Sequence, residues 1–373
     1  MDSAVVATPT LVARPFRLEP FRALMLAPNR IGAQASARSF GRPYRDVAER
    51  FATWQRAGQV THDDQRALYL HEYTTSGVTI RGLVGALDLT RDATNRDEVA
   101  VFPHEGVHPP QAAELADRMA EMAMNPAPIL LTHQAPAQLR NLLGSVRRGA
   151  ADHQFTDRAG QYHRVWAIHD ATVLDRVRDD LRDVRALIAD GHHRYAAYGQ
   201  LRTDHPGLAP GTDAGLAMLV DQEDTPLFLG AIHRILAGLS LGDLERLGAA
   251  VQMAAGPQDA IAALAPTTVV VTDGHDWATL ELPRADDRLA VEILHEDVLP
   301  TLPKPSADVG YAHSVDEALS AVARRRGLAV LMPVPAFTDV LRAAERGRLL
   351  PEKATSFQPK PSVGVLIRSL LDE

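Results

Sequence analysis

Cysteine is absent from the 373 residues. That excludes a disulfide framework, a thiolate nucleophile, Cys-ligated zinc and an iron–sulfur centre. No apolar run approaches the ~18 residues of a membrane span; the longest candidates, such as Leu328 to Phe337, have strand length and carry prolines. Met1-Asp2-Ser3 is not followed by a basic stretch and an apolar core, so the sequence reads as lacking a secretory signal, and a cytoplasmic protein is expected. An excess of positive charge is missing as well. The 39 basic residues face 47 acidic ones, a net −8, and a net anion has no general hold on nucleic-acid phosphates. The short clusters Arg147-Arg148 and Arg324-Arg325-Arg326 read as solvated charge and as a complement to a helix C-terminus. Neither a membrane nor a nucleic acid is therefore the expected partner. Walker A, G-x-G-x-x-G and G-x-S-x-G motifs are also absent, which removes the commonest phosphate loops and the nucleophile elbow.

Lysine is scarce. Only Lys304, Lys353 and Lys360 occur among the 39 basic residues. Arginine supplies the generic surface cation, so a lysine draws notice as a compact ammonium rather than a planar fork. Two of the three fall within Glu352 to Pro361. Chance is one explanation; the other is a point charge needed at a phosphate.

What is present is ordinary globular material, 46% hydrophobic and 23% charged, in a length that suggests two domains or one elaborated domain. Residues 1–10 read as a frayed tail. Val47, Phe51 and Trp54 place a helix over 43–57. Leu68 to Thr74 and Thr79 to Leu89 alternate as a hairpin around Thr75-Ser76-Gly77. A loop over 102–110 precedes a helix over 111–124, whose Leu115, Met119 and Met122 read as core. Strands follow at 129–131, 162–168 and 185–189, with a helix at 173–183 and another running to about 201. Beyond these, strands are expected at 216–220, 227–229, 267–272, 278–282, 328–333 and 364–368. Helices are expected at 241–251, from the capping box Ser314-Val315-Asp316-Glu317 to Gly327, and at 337–346. Hairpins outnumber βαβ crossovers, so the class is α+β.

The strongest local signal is Ile188-Ala189-Asp190-Gly191-His192-His193-Arg194-Tyr195. An apolar strand ends in Asp-Gly, and two imidazoles and a guanidinium enter the first turn of a helix. Helix N-termini repel cations unless an anion completes the site. Gly191 permits close backbone approach to such an anion. Asp190 could hold a metal, cap the helix or accept a proton. The plain alternative is a capped helix with solvent-facing His and Arg.

His104-Glu105-Gly106-Val107-His108 spells H-E-x-x-H, which binds zinc only when both histidines project from one helical face. Pro109-Pro110 pushes His108 toward extended backbone. The segment therefore reads as a loop presenting His104 and Glu105 beside a phosphate site, or as plain surface. In the third segment, Lys353 and Thr355 could donate to phosphate oxygens, and Lys360 sits on stiff backbone between two prolines. His233-Arg234 is a weaker candidate, for a supporting role behind the site. The run Asp221-Gln222-Glu223-Asp224 reads as solvated.

At these residues the chain resembles the domain-of-unknown-function 1015 family, which is similar to the archaeal free-serine kinase within the ParB/sulfiredoxin-like superfamily. The matches run in order: Arg14-Pro15-Phe16-Arg17, Ala67-Leu68-Tyr69-Leu70, Gly82-Leu83-Val84-Gly85-Ala86-Leu87, Pro103-His104-Glu105 and Pro126-Ala127-Pro128-Ile129. Asp190-Gly191-His192-His193-Arg194-Tyr195, His233-Arg234 and Leu350 to Lys360 complete the series. Three departures stand out. Ala27-Pro28-Asn29-Arg30 to Phe40 replaces the usual Pro-Pro-Tyr-Asp-Val, and the usual Lys-Ser-Thr is Lys353-Ala354-Thr355. Ser356, Gln358 and Ile232 replace residues typical of the family. Where those positions shape a pocket, substrate or activity would change.

The resemblance implies an α+β fold, with a ParB/sulfiredoxin-like mixed sheet and helices elaborated by a C-terminal α/β lobe. It implies a tail over 1–10, a nucleotide-binding lobe over 11–205, and a lobe over 206–373 that contributes the 350–361 loop. The implied activity is a nucleotide-dependent kinase acting on a hydroxyl metabolite, free L-serine or similar, with ATP or ADP and Mg2+. A nucleotide-binding regulatory switch is the alternative. Phosphoryl transfer needs positioned cations and a carboxylate that orients the hydroxyl. Glu105 and Asp190 are the expected catalytic pair. His104, Gly191, His192, His193, Arg194, Lys353, Thr355 and Lys360 are the expected phosphate or nucleotide contacts, with His233 and Arg234 behind them. The metal ligands stay unassigned.

Overall fold

Alternation builds the centre of the first unit. Leu68–Thr75 and Val78–Asp88 pair antiparallel, joined by Ser76 and Gly77, both at positive φ (48° and 78°). Two left-handed residues match the right-handed twist of the flanking strands. Leu68 and Leu70 enter the main hydrophobic core; Tyr69, His71 and Tyr73 take the opposite face, as period two demands.

The structure is a computed structural model that describes residues 6–33, 47–245, 251–283, 287–302, 309–325 and 327–372. Lys304, Arg326, residues 34–40 of the departing segment, the start of the expected 43–57 helix and residues 246–250 lie outside these. Contacts divide the chain into one unit of Met1–Leu227 with Pro359–Glu373, and a second of Phe228–Gln358. The expected boundary at 205/206 therefore sits at 227/228. Ala214–Asp221 pairs with Val78–Asp88 and with Ile129–His133, which makes it an inner strand of the first unit's sheet.

That sheet has nine strands. In spatial order they are Val101–Phe102, Ala186–Asp190, Ile129–His133, Ala214–Asp221, Val78–Asp88, Leu68–Thr75, Tyr162–Ile168 and His153–Thr156, with Leu18–Glu19 also on Val78–Asp88. Two neighbour pairs are parallel, Ala186–Asp190 with Val101–Phe102 and Ala214–Asp221 with Ile129–His133. The rest are antiparallel, so the sheet is mixed and the class is α+β. Helices Pro109–Met122 and His192–Asp204 bury Ala116, Met119, Tyr195, Ala197, Tyr198 and Leu201 in its core. A four-stranded sheet of Val60–His62, Ala23–Leu26, Ile367–Ser369 and Met124–Asn125 completes the unit.

The second unit holds a six-stranded sheet, Val251–Met253, Trp277–Glu281, Thr268–Thr272, Gly327–Leu331, His233–Ala237 and Val309–Ala312, antiparallel at every pairing among the described residues. Its helix Val315–Arg325 begins at Ser314, whose Oγ accepts the Glu317 N–H at 3.1 Å.

Several expectations need correction. Residues 6–10 are not a free tail, because Ala7 and Val107 exchange backbone hydrogen bonds of 2.9 Å. Of the helix expected over 241–251, Leu241–Glu245 is helical, 246–250 lie outside the described residues, and Val251 stands in strand Val251–Met253, paired with Leu280. The last strand is Ile367–Ser369 rather than 364–368; Gly364 is left-handed, at φ 96°. The 350–361 loop contains strand Ser356–Gln358, paired with Phe228–Gly230. Helix Ala137–Arg147 and strands His153–Thr156 and Ala23–Leu26 were not anticipated.

Close backbone approach fixes two glycines in the first unit. A Cβ on Gly215 would overlap the Tyr198 ring, and one on Gly211 would overlap the Leu370 carbonyl. Gly215→Ala should lower unfolding stability by about 1–3 kcal/mol through overpacking. Gly199→Ala is the contrast, since its Cβ meets only Thr10 Oγ1 at 4.0 Å. It sits inside helix His192–Asp204, where alanine is favoured by up to ~1 kcal/mol. Urea midpoints should move in opposite directions at constant slope.

Candidate functional site

Parallel pairing brings two loops together. Ala186 lies opposite Val101 and Leu187 opposite Phe102, so both strands end at the same edge. Pro103-His104-Glu105 and Gly191-His192 therefore leave the sheet side by side. Open sheets place ligands beyond such carboxyl ends.

The loops interlock through imidazoles. The His104 backbone N–H donates to His192 Nε2 at 3.4 Å, with ring centroids 4.6 Å apart and edge-on. The His108 N–H donates to His193 Nε2 at 3.1 Å, with rings stacked at 5.7 Å. A ring nitrogen that accepts carries no proton, so in this arrangement His192 and His193 are neutral. Burial holds the His104 pKa well below the ordinary imidazole value, and the adjacent His192 adds to the effect. The three rings thus offer hydrogen bonds rather than charge. His192 is buried and does not face solvent; His193 and Arg194 keep partial exposure. Helix Pro109–Met122 starts after His108; the H-E-x-x-H histidines precede it and do not share a helical face. Glu105 Oε1 lies 4.0 Å from His104 Nε2.

Gly191 is left-handed, at φ 96°, and forms the N-cap of helix His192–Asp204. An L side chain there would be strained, and its Cβ would press the Arg194 guanidinium at 3.0 Å. Arg194 donates from Nη2 to Asp190 Oδ2 at 2.6 Å and from Nη1 to the Pro128 carbonyl at 2.5 Å. The Lys360 ammonium pairs with the other oxygen, Asp190 Oδ1. Two cations thus converge on one carboxylate at a helix N-terminus. All three side chains keep some exposure, so an incoming anion can compete for the cations.

Lys360 is positioned by the first unit's own sheet. Tyr73 Oη donates to the Pro359 carbonyl at 2.7 Å, Gln161 Nε2 donates to the Lys360 carbonyl at 3.2 Å, and the Ser362 N–H donates to Gln161 Oε1 at 2.9 Å. Sequence reasoning missed Tyr73, Gln161 and the Pro128 carbonyl. Only Pro128 lay inside a motif already singled out.

His233, Arg234, Lys353 and Thr355 belong to the second unit. Lys353 is exposed and left-handed, at φ 57°, and Thr355 is half-buried. His233 Nδ1 accepts the Met332 N–H at 3.1 Å. Arg234 is fully buried. It donates to His295 Nε2 at 3.0 Å, to the Ile232 carbonyl and to the Glu352 carbonyl at 3.3 Å. Its guanidinium lies 5.5 Å from the centroid of the Tyr311 ring. Burial and the Arg234 charge lower the His295 pKa to about 4, so the ring accepts as a neutral partner. Arg234 therefore holds the backbone immediately before Lys353.

Asp221 is not merely solvated. Its carboxylate accepts Arg140 Nε at 2.8 Å and the N–H groups of Ala135 and Glu223, which ties the end of its strand to helix Ala137–Arg147. Among the described residues, no group of three or more His, Asp or Glu side chains could hold a metal ion, and no helix is long and apolar enough to cross a membrane.

The profile of the DUF1015 family, described as a protein of unknown function, matches residues 16–304. No curated protein matches in sequence. Solved structures similar to the chain include a free serine kinase variant in complex with ADP, at 13% identity and a TM-score of 0.41, covering 72% of this chain and 89% of that one. They also include C-terminally truncated SbnI from Staphylococcus aureus, at 12% identity and a TM-score of 0.40, covering 76% and 87%. A conserved hypothetical protein from Pyrococcus furiosus is similar at 13% identity and a TM-score of 0.37, covering 72% and 92%.

Proposed function

The chain belongs to the DUF1015 family, and on that premise we propose that it is a nucleotide-dependent kinase that transfers a phosphoryl group to a small hydroxyl metabolite, free L-serine or a compound like it. One observation carries the reading. Arg194 and Lys360 converge on Asp190 at the Gly191 helix start, beside the loop that bears Glu105, whose strand ends at the same edge.

The chemistry follows from that arrangement. A phosphate entering at the helix start meets backbone N–H groups, the positive end of the dipole and two cations. Arg194 and Lys360 move from Asp190 to the phosphate oxygens. His104, His192 and His193 contribute as neutral rings. Asp190 is then released from its cations. Glu105, outside the Arg194–Asp190–Lys360 group, is the base that orients and deprotonates the acceptor hydroxyl.

ATP or ADP fits this donor set. Mg2+ fits only as an ion that enters with the phosphates, because the described residues offer no three-ligand cluster; it commonly keeps waters and takes one or two carboxylates. Asp190 or Glu105 would supply one, and the ion would neutralise charge on the transferred group.

The test is a thermal-shift screen with ATP, ADP and CTP in the presence of Mg2+, repeated with serine. Serine-dependent phosphate transfer is the expected result. Nucleotide binding without transfer to any hydroxyl metabolite would give a regulatory switch, and no nucleotide binding would remove both readings.

A further inference from the structure

His71, Asp157 and His163 play no part in the chemistry above, yet they form a continuous buried chain. His71 lies on strand Leu68–Thr75 and His163 on the neighbouring Tyr162–Ile168. Asp157 sits in the turn that leads into the latter. His71 is 2% exposed and His163 0%, and the Asp157 side chain is fully covered. Asp157 Oδ2 is 3.2 Å from His163 Nε2, and His163 Nδ1 is 3.0 Å from His71 Nε2.

The proton positions follow from donor and acceptor rules. Burial opposes the Asp157 charge, but hydrogen bonds from Ser362, Gln161 and His163 outweigh it and hold the carboxyl below its ordinary range. An ionised carboxylate only accepts, so His163 Nε2 carries the proton. The neutral His163 ring then accepts at Nδ1, so His71 donates from Nε2. That leaves the His71 Nδ1 lone pair as the terminal acceptor of a polarised chain.

The Asp157 end of this chain belongs to the turn that holds the Lys360 segment. Asp157 Oδ1 accepts the N–H groups of Ala159 at 2.8 Å and Gln161 at 2.9 Å. The Gln161 side chain grips the Lys360 carbonyl and the Ser362 N–H. At the His71 end, Tyr73 lies two residues along the same strand and holds the Pro359 carbonyl. Both ends of the chain thus adjoin anchors of one short segment.

We propose that Asp157, His163 and His71 are a proton-linked positioning unit for Lys360. A proton accepted at His71 Nδ1 places a positive charge at one end of the chain. His163 Nε2–H then binds Asp157 Oδ2 more strongly, at the expense of the bonds from the Ala159 and Gln161 N–H groups to Oδ1, and Gln161 carries the change to the Lys360 segment.

Few other charges face the chain. Tyr73 shares its sheet face, with a ring 5.5 Å from His71. Phe155, from the next strand, packs on His163 at 5.0 Å. Gly82 is opposite His71 on the paired strand. Glu72 and Arg164 alternate to the other face and pair there, with Arg81 also on Glu72. Burial and mutual repulsion lower the His71 pKa; burial also lowers that of His163, against the pull of Asp157. Proton uptake therefore falls below the usual imidazole value of about 6.5.

The effect on anion affinity rests on the proposed phosphate site, but the positioning of Lys360 does not. The chain has three lysines, so full-length protein labelled with 13C at the lysine ε-carbon gives three resonances, and Lys360→Arg identifies one. Ring-15N histidine labelling reports tautomers in the same sample. At about pH 8, His71 and His163 should both carry the proton on Nε2. As pH falls, the Lys360 resonance should shift with the midpoint of His71, and His71→Gln should abolish that shift. A Lys360 resonance that stays flat through the His71 titration would overturn the proposal. So would an Nδ1-protonated His71 at high pH, or a shift that persists in folded His71→Gln. If His71→Gln does not fold, the coincidence of midpoints in the unsubstituted protein decides. Failure to bind nucleotide would leave these spectra unchanged.

Discussion

Arg194→Ala is expected to weaken ATP or ADP binding about 100-fold or more, with the protein still folded. Hydrogen bonds to charged groups contribute about 1.5–3 kcal/mol each, and a phosphate gripped by a guanidinium fork loses two at once. At about 1.4 kcal/mol per decade, that is two to four decades in Kd. The fold should tolerate the change. The Arg194–Asp190 pair keeps partial exposure, where ion pairs contribute about 0–1 kcal/mol, and Lys360 remains on Asp190. Calorimetry with ADP, beside a urea melt, separates binding from stability. Binding within threefold of the unsubstituted protein would remove Arg194 from the site.

The second large effect is on turnover. Glu105→Gln should leave nucleotide affinity within about threefold and lower kcat by about 10²–10⁴, the usual contribution of a positioned general base. The substitution keeps shape and removes the basic lone pair, so folding is not the concern. The asymmetry is the informative part: Arg194 acts on binding, Glu105 on the chemical step. If kcat were unchanged in Glu105→Gln while binding stayed normal, Asp190 would take over as the candidate base, and Asp190→Asn would be the next variant.

The central hairpin was legible because its signal is local. Period-two alternation and Ser76-Gly77 specify strand, turn and register together. Helix His192–Asp204 was legible for a similar reason, since a strand ending in Asp-Gly marks the start. Helix Ala137–Arg147 carries the same kind of signal, with Leu139, Leu142, Leu143 and Val146 at helical spacing, but it lies between two strands with stronger apolar runs. The pairing of Val101–Phe102 with Ala186–Asp190 could not be read at all. Those strands are far apart in sequence, and nothing in either fixes which neighbour it takes. Consequently both loops stand out in the sequence, but not the contact between their histidines, which depends on that pairing. The Asp157–His163–His71 chain escaped for the same reason: each residue alone is an ordinary polar position in a strand or turn.

Strand Ile367–Ser369 has a temporal consequence. It lies between Ala23–Leu26 and Met124–Asn125 in the four-stranded sheet, and it is synthesised after both of its neighbours. Residues near the start of the chain must wait, with an unpaired edge, until more than three hundred later residues have been made. The interval is long on the timescale of ribosomal synthesis, at about 5–20 residues per second. The second unit, Phe228–Gln358, has every strand of its six-stranded sheet in one continuous stretch and does not depend on that late strand. A chain cut just before residue 367 should therefore keep its nine-stranded and six-stranded sheets, whose strands all precede the cut, and expose Ala23–Leu26 and Met124–Asn125 to protease.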